Sequence, residues 1–168
     1  MNNIILIGYM GSGKTTIGKR LADAMQQSFY DTDEMIEQQA NQKISDIFAN
    51  QGEAYFREME THTLEKLQGT LNHVVLSTGG GMPCSEINAR LLKSLGTVIY
   101  LQVSKKVVVQ RLQGDTTRPL LQGEDFEKKV ETMLQIRHPL YERVADVVIN
   151  TDQLSVDEIV NEILLRRK

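Results

Sequence analysis

The feature that most constrains this chain is a glycine-rich segment near its start, residues 8 to 15, with the sequence GYMGSGKT. It fits the pattern G-x-x-x-x-G-K-[ST] and follows an apolar run, residues 4 to 7, that is typical of a buried strand. In such a loop, backbone N–H groups surround phosphate oxygens, the lysine adds positive charge, and the Ser/Thr hydroxyl can ligate Mg²⁺. The positive end of the following helix favours the same anion. The spacing therefore predicts a nucleoside triphosphate site rather than an ordinary glycine-rich turn.

Apolar runs typical of buried strands recur along the chain at residues 3 to 8, 74 to 77, 97 to 101 and 146 to 149, with a short one near Phe29 and Tyr30. Helix-length segments separate these runs. Strands of a parallel sheet are buried on both faces by helices, so they have continuous apolar sequences of this kind. We therefore predict an α/β fold with a parallel sheet.

The composition limits the class of protein. A chain of 168 residues is the size of one ordinary domain, so we predict a single domain spanning residues 1 to 168. Apolar residues make up 40% and charged residues 24%, without a run long enough to cross a membrane, which indicates a cytoplasmic protein without a membrane partner. The net charge of −3 argues against a nucleic-acid binder. The single cysteine, Cys84, excludes an intramolecular disulfide.

Two carboxylates, Asp31 and Asp33, follow the short second strand. They should lie at the carboxyl edge of the sheet beside the phosphate loop, where open α/β sheets bind ligands. One can face Mg²⁺ through water while the other faces a substrate hydroxyl. The alternative is that one of them only caps the helix that begins near Glu34.

Arg57 and Glu60 are three residues apart in a segment that is predicted to be helical, so the two side chains share one face. Glu60 could hold the guanidinium so that it binds a substrate carboxylate in bidentate fashion. An ordinary surface ion pair explains the spacing equally well.

Glycines mark two further segments. Gly79, Gly80 and Gly81 follow an apolar strand, and three consecutive glycines suggest that the chain approaches a ligand closely there; a flexible loop is the alternative. Residues 114 to 123 begin and end with glycine and carry Arg118, which favours a mobile lid over a plain surface loop.

Pro139 lies inside a segment that otherwise reads as a helix. A proline in a helix interior removes a backbone donor and clashes with the preceding turn, so we expect it to kink or end the helix and redirect Arg137. His138 is expected to be a bystander, because phosphoryl transfer depends on positioning and charge more than on a proton shuttle.

Six segments, in order and over essentially the whole chain, resemble the shikimate kinase family. They are residues 8 to 16, Asp31-Thr32-Asp33, Phe56-Arg57 with Glu60, Gly79-Gly80-Gly81, Arg118-Pro119-Leu120-Leu121, and Arg137 with Leu140-Tyr141. The resemblance implies a three-layer P-loop kinase fold, similar to nucleoside monophosphate kinases, with a parallel sheet of strand order 2-3-1-4-5. It also implies a mobile lid at about residues 114 to 124 and a substrate-binding region at about residues 31 to 60.

The reaction implied by the resemblance is transfer of the γ-phosphate of ATP to the 3-hydroxyl of shikimate, on the route to chorismate and the aromatic amino acids. ATP would be co-substrate and Mg²⁺ the cofactor. The nucleotide would contact Gly11, Ser12, Gly13, Lys14, Thr15, Thr16, Arg111 and Arg118. Shikimate would contact Asp33, Gly79, Gly80 and Gly81, with Arg57 and Arg137 clamping its carboxylate.

Catalytic roles would then fall to Lys14, to Asp33 as partner and base of the acceptor hydroxyl, and to Arg118. Thr15 and Asp31 would support the metal. Arg111 would lie against adenine, with the loop after Asn150 on the other side. The family commonly has a proline in that loop, whereas this chain has Asp152-Gln153-Leu154.

Three other classes of protein share part of this pattern. A gluconate kinase or another small-metabolite kinase would share the loop and the fold class, but the two arginines with the triple glycine suit a compact ring acid. A GTPase would require an Asn-Lys-x-Asp motif, which this sequence lacks. An inactive nucleotide-binding module would be expected to have lost Lys14, Asp33 or Arg118. We therefore predict a monomeric enzyme whose partners are ATP and shikimate.

Overall fold

Strands and helices alternate along the chain in the computed structural model, which describes residues 2–113 and 125–167. The predicted lid, including Arg118, lies outside these residues. The strands are β1 (Ile4–Ile7), β2 (Ser28–Asp31), β3 (Val74–Ser77), β4 (Thr97–Gln102) and β5 (Val147–Asn150). The helices are α1 (Lys14–Met25), α2 (Thr32–Ala40), α3 (Ile44–Leu67), α4 (Glu86–Leu95), α5 (Lys105–Leu112), α6 (Phe126–Val144) and α7 (Val156–Arg166), and a 3₁₀ turn covers Met82–Cys84.

The five strands form one parallel sheet of order β2-β3-β1-β4-β5, which confirms the predicted fold class and strand order. In the register of the sheet, Ile5 of β1 is opposite Leu76 of β3 and Val98 of β4. The carboxyl ends of parallel strands meet at one edge, so the segments that follow β1, β2 and β3 come together there.

The central strand explains the three layers. Ile5 and Ile7 of β1 belong to a core cluster shared with α4, α5 and α6, whereas Ile4 and Leu6 belong to a second cluster shared with α1 and α7. Successive side chains of a strand point to opposite faces, so a strand that is apolar at every position needs helices on both sides. Each buried isoleucine contributes roughly 1.5–3 kcal/mol relative to an exposed one.

A third, smaller core cluster lies between α2 and α3. Its buried residues are Ile36, Ile47 and Phe56. Gly52 interrupts α3 with a φ of 84° and a ψ of 169°, a conformation outside the helical region. The rings of Phe48 and Phe56 pack across this break, with centroids 5.1 Å apart. Among the described residues this cluster has three buried side chains, against sixteen in the main cluster that contains Ile5 and Ile7, so it depends on far fewer buried side chains.

The ends of the helices follow the sequence signals where these are local. Ser155 and Glu158 form a capping box at the start of α7, with each side chain bonding the other residue's backbone N–H. Strand β2 is half exposed, with exposed and intermediate residues alternating, which explains its weak apolar signal.

Within the described ranges, no helix is long and apolar enough to span a bilayer.

Candidate active site

The phosphate loop connects β1 to α1 at the carboxyl edge of the sheet. Gly11 and Gly13 have φ values of 78° and 89°, in the left-handed region that residues with a Cβ avoid. Helix α1 begins at Lys14 and has no acidic residue in its first turn, so nothing there opposes an anion at its positive end. Thr15 and Thr16 are exposed in this first turn. The loop therefore has the backbone geometry of an anion site.

The Lys14 ammonium lies back over the loop. Its Nζ donates to the carbonyl oxygens of Gly8 at 2.8 Å and Tyr9 at 3.0 Å. The positive charge of Lys14 is thus held by backbone carbonyls of the phosphate loop itself, close to where the outer phosphates of a bound nucleotide would lie.

Asp31 caps helix α2. Its Oδ1 accepts hydrogen bonds from the backbone N–H groups of Asp33, at 2.8 Å, and Glu34, at 3.4 Å. The structure therefore has the cap that was the alternative explanation for this pair. Because both bonds go to Oδ1, the cap does not occupy the second carboxylate oxygen.

Asp33 lies in the first turn of α2, next to the triple glycine. Its Oδ1 is 2.7 Å from the place where a Cβ on Gly79 would lie. The backbone N–H of Gly79 donates to the Thr32 hydroxyl at 3.2 Å, so the segments after β2 and β3 are tied together at this point.

The pair formed by Arg57 and Glu60 is not an ordinary surface ion pair, so that alternative is wrong. Arg57 Nη1 donates to Glu60 Oε1 at 2.6 Å, and the Glu60 side chain is 0% exposed. Burial raises the pKa of Glu60 to about 7, against the lowering effect of Arg57 and with a further raising effect of Asp33. A second carboxylate, Glu53, accepts from Arg57 Nη2 at 3.3 Å. Two carboxylates therefore orient one guanidinium.

The three glycines make room for three different side chains. A Cβ on Gly79 would meet Asp33, one on Gly80 would lie 3.3 Å from Arg137 Nη1, and one on Gly81 would lie 2.5 Å from two nitrogens of Arg57. The sequence predicted a close approach to a ligand here. Among the described residues, the close approach is to the polar side chains expected to hold that ligand, and any larger residue would displace one of them.

Arg137 projects from α6 into the same region. The helix continues through Pro139 to Val144, so of the two expected effects of the proline, the end is wrong and the kink stays a prediction. Arg137 is 8% exposed, its guanidinium lies 5.7 Å from the centre of the Tyr9 ring, and its Nη1 has no hydrogen-bond partner among the described residues. A buried guanidinium nitrogen of this kind requires an acceptor.

Arg57 and Arg137 line one cavity of about 340 Å³, together with Gly81, Cys84 and Asn88. The cavity is of the size that holds a compact small molecule. Its two guanidiniums come from α3 and α6, elements far apart in sequence, and only the folded chain brings them together. The geometry suits an anionic ligand with a carboxylate.

Arg111 lies on the other side of the phosphate loop. Its Nη1 donates to the Gly11 carbonyl at 2.8 Å, and the side chain is exposed. The loop after Asn150 is held without a proline, because Asp152 Oδ1 accepts from Ser104 N at 3.0 Å and Thr151 bonds the Gln102 carbonyl. Of the two segments expected to flank adenine, Arg111 is therefore anchored to the phosphate loop, and the loop after Asn150 is anchored to the end of β4 and the residue Ser104 that follows it.

Sequence reasoning missed several contributors to the site. Glu53 could have been found from its i,i+4 spacing to Arg57. Thr32 was seen only as the residue between two aspartates, and Cys84 only as a residue beside the glycines. No sequence pattern indicates that Tyr9 packs under Arg137, because that contact depends on how α6 crosses the sheet.

The fold and the site together define a P-loop kinase: a parallel sheet with a phosphate loop after its central strand and a small-molecule cavity at the same edge. A family model described as shikimate kinase matches residues 10–167. The chain belongs to the shikimate kinase family.

Relatives and solved structures agree with this assignment. Shikimate kinase of Legionella pneumophila (strain Corby) is 44% identical over 164 residues, covering 98% of this chain and 93% of the relative. The enzyme of Persephonella marina is 43% identical, covering 99% of each chain. The structure of shikimate kinase from Acinetobacter baumannii in complex with shikimate matches with a TM-score of 0.93 at 40% identity, covering 98% of this chain and 91% of that one.

Proposed function

We propose that this chain transfers the γ-phosphoryl group of ATP to the 3-hydroxyl of shikimate, giving shikimate 3-phosphate and ADP, a step towards the aromatic amino acids. The observation that carries the choice of acceptor is the pair of guanidiniums, Arg57 and Arg137, on one cavity beside the phosphate loop. Membership in the shikimate kinase family, and a relative in complex with shikimate, support the same acceptor.

The carboxylate of shikimate would pair with Arg57 and Arg137. Arg57 is already held by Glu60 and Glu53, so its planar fork would need little reorganisation to bind a carboxylate. Arg137 Nη1 would gain the acceptor that no described residue supplies. Leaving this nitrogen without an acceptor is costly, so a neutral ligand should bind poorly.

Asp33 would orient the acceptor hydroxyl. The hydroxyl oxygen attacks the γ-phosphorus, the bond from phosphorus to the β-phosphate oxygen breaks, and the hydroxyl proton goes to the Asp33 carboxylate. The position of Asp33 beside Gly79, at the same sheet edge as Lys14, supports this role. Lys14 would stabilise charge on the transferring group, with Arg118 assisting from the lid; the contribution of Arg118 stays a prediction.

Mg²⁺ fits the donors present. Thr15 has a hydroxyl in the first turn of α1. Both capping bonds of Asp31 go to Oδ1, so the cap does not use its Oδ2. The Thr15 hydroxyl and Asp31 Oδ2 are hard oxygen ligands of the kind that Mg²⁺ prefers, with water completing its shell. When bound, the ion would neutralise charge on the β- and γ-phosphates.

A coupled ADP-release assay with equal concentrations of shikimate, gluconate and a nucleoside monophosphate tests the proposal. We expect shikimate to be the fastest acceptor and activity to require Mg²⁺. The carboxamide of shikimate should have a specificity lower by roughly 10² or more, the scale seen when buried polar groups lose their partner. Faster turnover of gluconate or a nucleoside monophosphate would overturn the choice of acceptor and leave the nucleotide site in place.

Several sequence predictions stay predictions. They are the single-domain organisation, the monomeric state, the cytoplasmic location and the absence of nucleic-acid and membrane partners. Arg111 and the loop after Asn150 as the adenine site, and residues 114–124 as a lid, belong to the same group.

A further inference from the structure

One residue of the sixth sequence segment, Tyr141, has no role in the reaction described so far. It lies one helical turn after Arg137 in α6 and is fully buried. Its Oη donates a hydrogen bond of 2.5 Å to the carbonyl oxygen of Gly80, the middle residue of the triple glycine. Helix α6 therefore contacts the glycine segment through two side chains, Arg137 and Tyr141.

The site has two halves, the phosphate loop and the cavity lined by Arg57 and Arg137, which we call the acceptor cavity. Gly80 lies between these two halves. A Cβ on Gly80 would lie 3.3 Å from Arg137 Nη1, 3.4 Å from the backbone N of Met10 and 3.7 Å from the Gly8 carbonyl oxygen. The first neighbour belongs to the acceptor cavity and the other two to the phosphate loop. A shift of this peptide would change the distance between the bound carboxylate and the bound nucleotide.

We propose that Tyr141 is a positioning residue, which fixes the Gly80 peptide and thereby the spacing between Arg137 and the phosphate loop. The inference rests on the proposed function, because it assumes that a carboxylate binds at Arg137. Tyr141 acts through Gly80 and through the neighbouring Arg137 guanidinium, which lies close enough to lower the pKa of its hydroxyl against the larger effect of burial, and not by binding the substrate or the nucleotide.

The surroundings of Tyr141 suit this role. Its ring packs in the main core cluster against Tyr100, with centroids 5.0 Å apart, so the hydroxyl has little freedom to move. Burial raises the pKa of Tyr141 well above its ordinary value, so the phenol keeps its proton and remains a donor. A small misplacement of reacting groups can cost a large factor in rate, so one well-fixed peptide at this junction is significant.

Tyr100 provides a matched control. It is also buried and packs on the same partner ring, but its Oη pairs with His138 Nδ1 at 2.9 Å rather than with the glycine segment. Tyr100→Phe and Tyr141→Phe each remove one hydroxyl from neighbouring rings of the same core. Only the second removes a contact to Gly80.

The experiment compares wild type, Tyr141→Phe and Tyr100→Phe by steady-state kinetics with shikimate and ATP each varied, and by thermal unfolding. For Tyr141→Phe we expect kcat/KM for shikimate to fall about tenfold or more, the scale of one lost buried hydrogen bond, with the KM for ATP within about twofold of wild type. Tyr100→Phe should stay within about twofold of wild type in both parameters. Gly80→Ala moves the same peptide, because its added Cβ would press on both Arg137 Nη1 and the backbone N of Met10. It should also lower kcat/KM for shikimate, and it serves as the test if Tyr141→Phe does not fold.

The outcomes separate the two proposals. Kinetics of Tyr141→Phe indistinguishable from those of Tyr100→Phe would overturn the positioning role, as would equal losses for shikimate and ATP that follow only the loss of thermal stability. A wild-type protein that fails to phosphorylate shikimate in the same assay would overturn both this inference and the proposed function.

Discussion

The two halves of the site are built in different ways. The phosphate loop is made by consecutive residues, and its internal contacts, such as those of Lys14 with Gly8 and Tyr9, join residues five or six apart. The acceptor cavity combines side chains from α3 and α6 with the triple glycine, and its contacts span long stretches of chain, 61 residues for Tyr141 and Gly80. One half depends mainly on backbone conformation and the other on how helices pack.

The two halves should therefore differ in how strongly they respond to substitutions elsewhere in the protein. A loop whose N–H groups and helix end bind the anion tolerates change elsewhere in the protein, because its geometry is local. The acceptor cavity depends on the relative placement of α3, α6 and the segment after β3, so a shift in any of them alters it. We therefore expect substitutions in α3 and α6 to weaken the binding of shikimate more than the binding of ATP.

The largest loss of turnover is expected from a substitution in the phosphate loop, the half of the site that would bind the phosphoryl donor ATP. Lys14→Ala should lower kcat by on the order of 10² to 10³, the scale for removal of one preorganised charge, while shikimate binding is retained. Lys19→Ala, an exposed lysine on the same helix, is the control and should have little effect. Steady-state kinetics and calorimetric titration with shikimate measure the two halves separately. Near wild-type turnover of Lys14→Ala would show that Lys14 does not stabilise the transferring phosphoryl group.

Asp33 lies between the two halves. Asp33→Asn keeps the shape of the side chain but removes the carboxylate that would accept the hydroxyl proton, so turnover should fall by roughly 10² or more with ATP binding intact. Glu34→Gln removes an exposed carboxylate from the same helical turn and is the control. If Asp33→Asn retained full shikimate turnover, the role would pass to Asp31.

The acceptor half is tested by Arg57→Lys. A lysine carries the charge but lacks the planar fork, so the KM for shikimate should rise by about tenfold while the KM for ATP changes little. Arg20→Lys is the matched control, because Arg20 forms an exposed ion pair with Asp157 between α1 and α7. A parallel rise in both KM values would show that the two halves are not separable in this way.

The smallest effect concerns the buried carboxylate that holds Arg57. The pKa of Glu60 is raised to about 7 in the folded protein, so between its ordinary value of 4.5 and about 7 the folded state holds this proton more tightly than the unfolded chain. Stability from this group is therefore present at low pH and is lost as the pH rises through about 7. The loss should be on the order of 1 kcal/mol or more, since one pKa unit is worth about 1.4 kcal/mol.

Chemical denaturation at several pH values measures this slope. Glu60→Gln should remove it, because the amide does not titrate. Glu53→Gln removes the more exposed carboxylate that bonds the same arginine and should leave the slope in place. A wild-type stability that rises between pH 4.5 and 7 relative to Glu60→Gln would contradict the assignment to Glu60.

The same contrast explains how far the sequence alone could lead. The phosphate loop and β1 are local patterns, and the structure has them where they were predicted. The strand order required the family resemblance, because apolar runs do not reveal which strands are neighbours. Spacing placed Arg57 and Glu60 on one helical face, but it could not show that Glu60 is fully buried, since burial depends on what packs against that face.

The three glycines illustrate the limit most clearly. Their number indicated a close approach, but not to what. The neighbours are side chains of α2, α3 and α6, and their convergence depends on tertiary packing that no local pattern records. Pro139 is the reverse case, since a local signal for a kink or an end did not end α6, which continues to Val144.

The small cluster of Ile36, Ile47 and Phe56 has a consequence for local unfolding. Proteins open in cooperative units, and the units with the fewest buried apolar contacts open at the lowest free energy. Amide hydrogens of α2 and of the part of α3 before Gly52 should therefore exchange with solvent sooner than those of β1, β3 and β4. Because Phe56 packs in this cluster and Arg57 directly follows it, each such opening would remove packing that supports the carboxylate site while the phosphate loop keeps its shape, and the protein would briefly be a nucleotide binder with a loosened acceptor pocket.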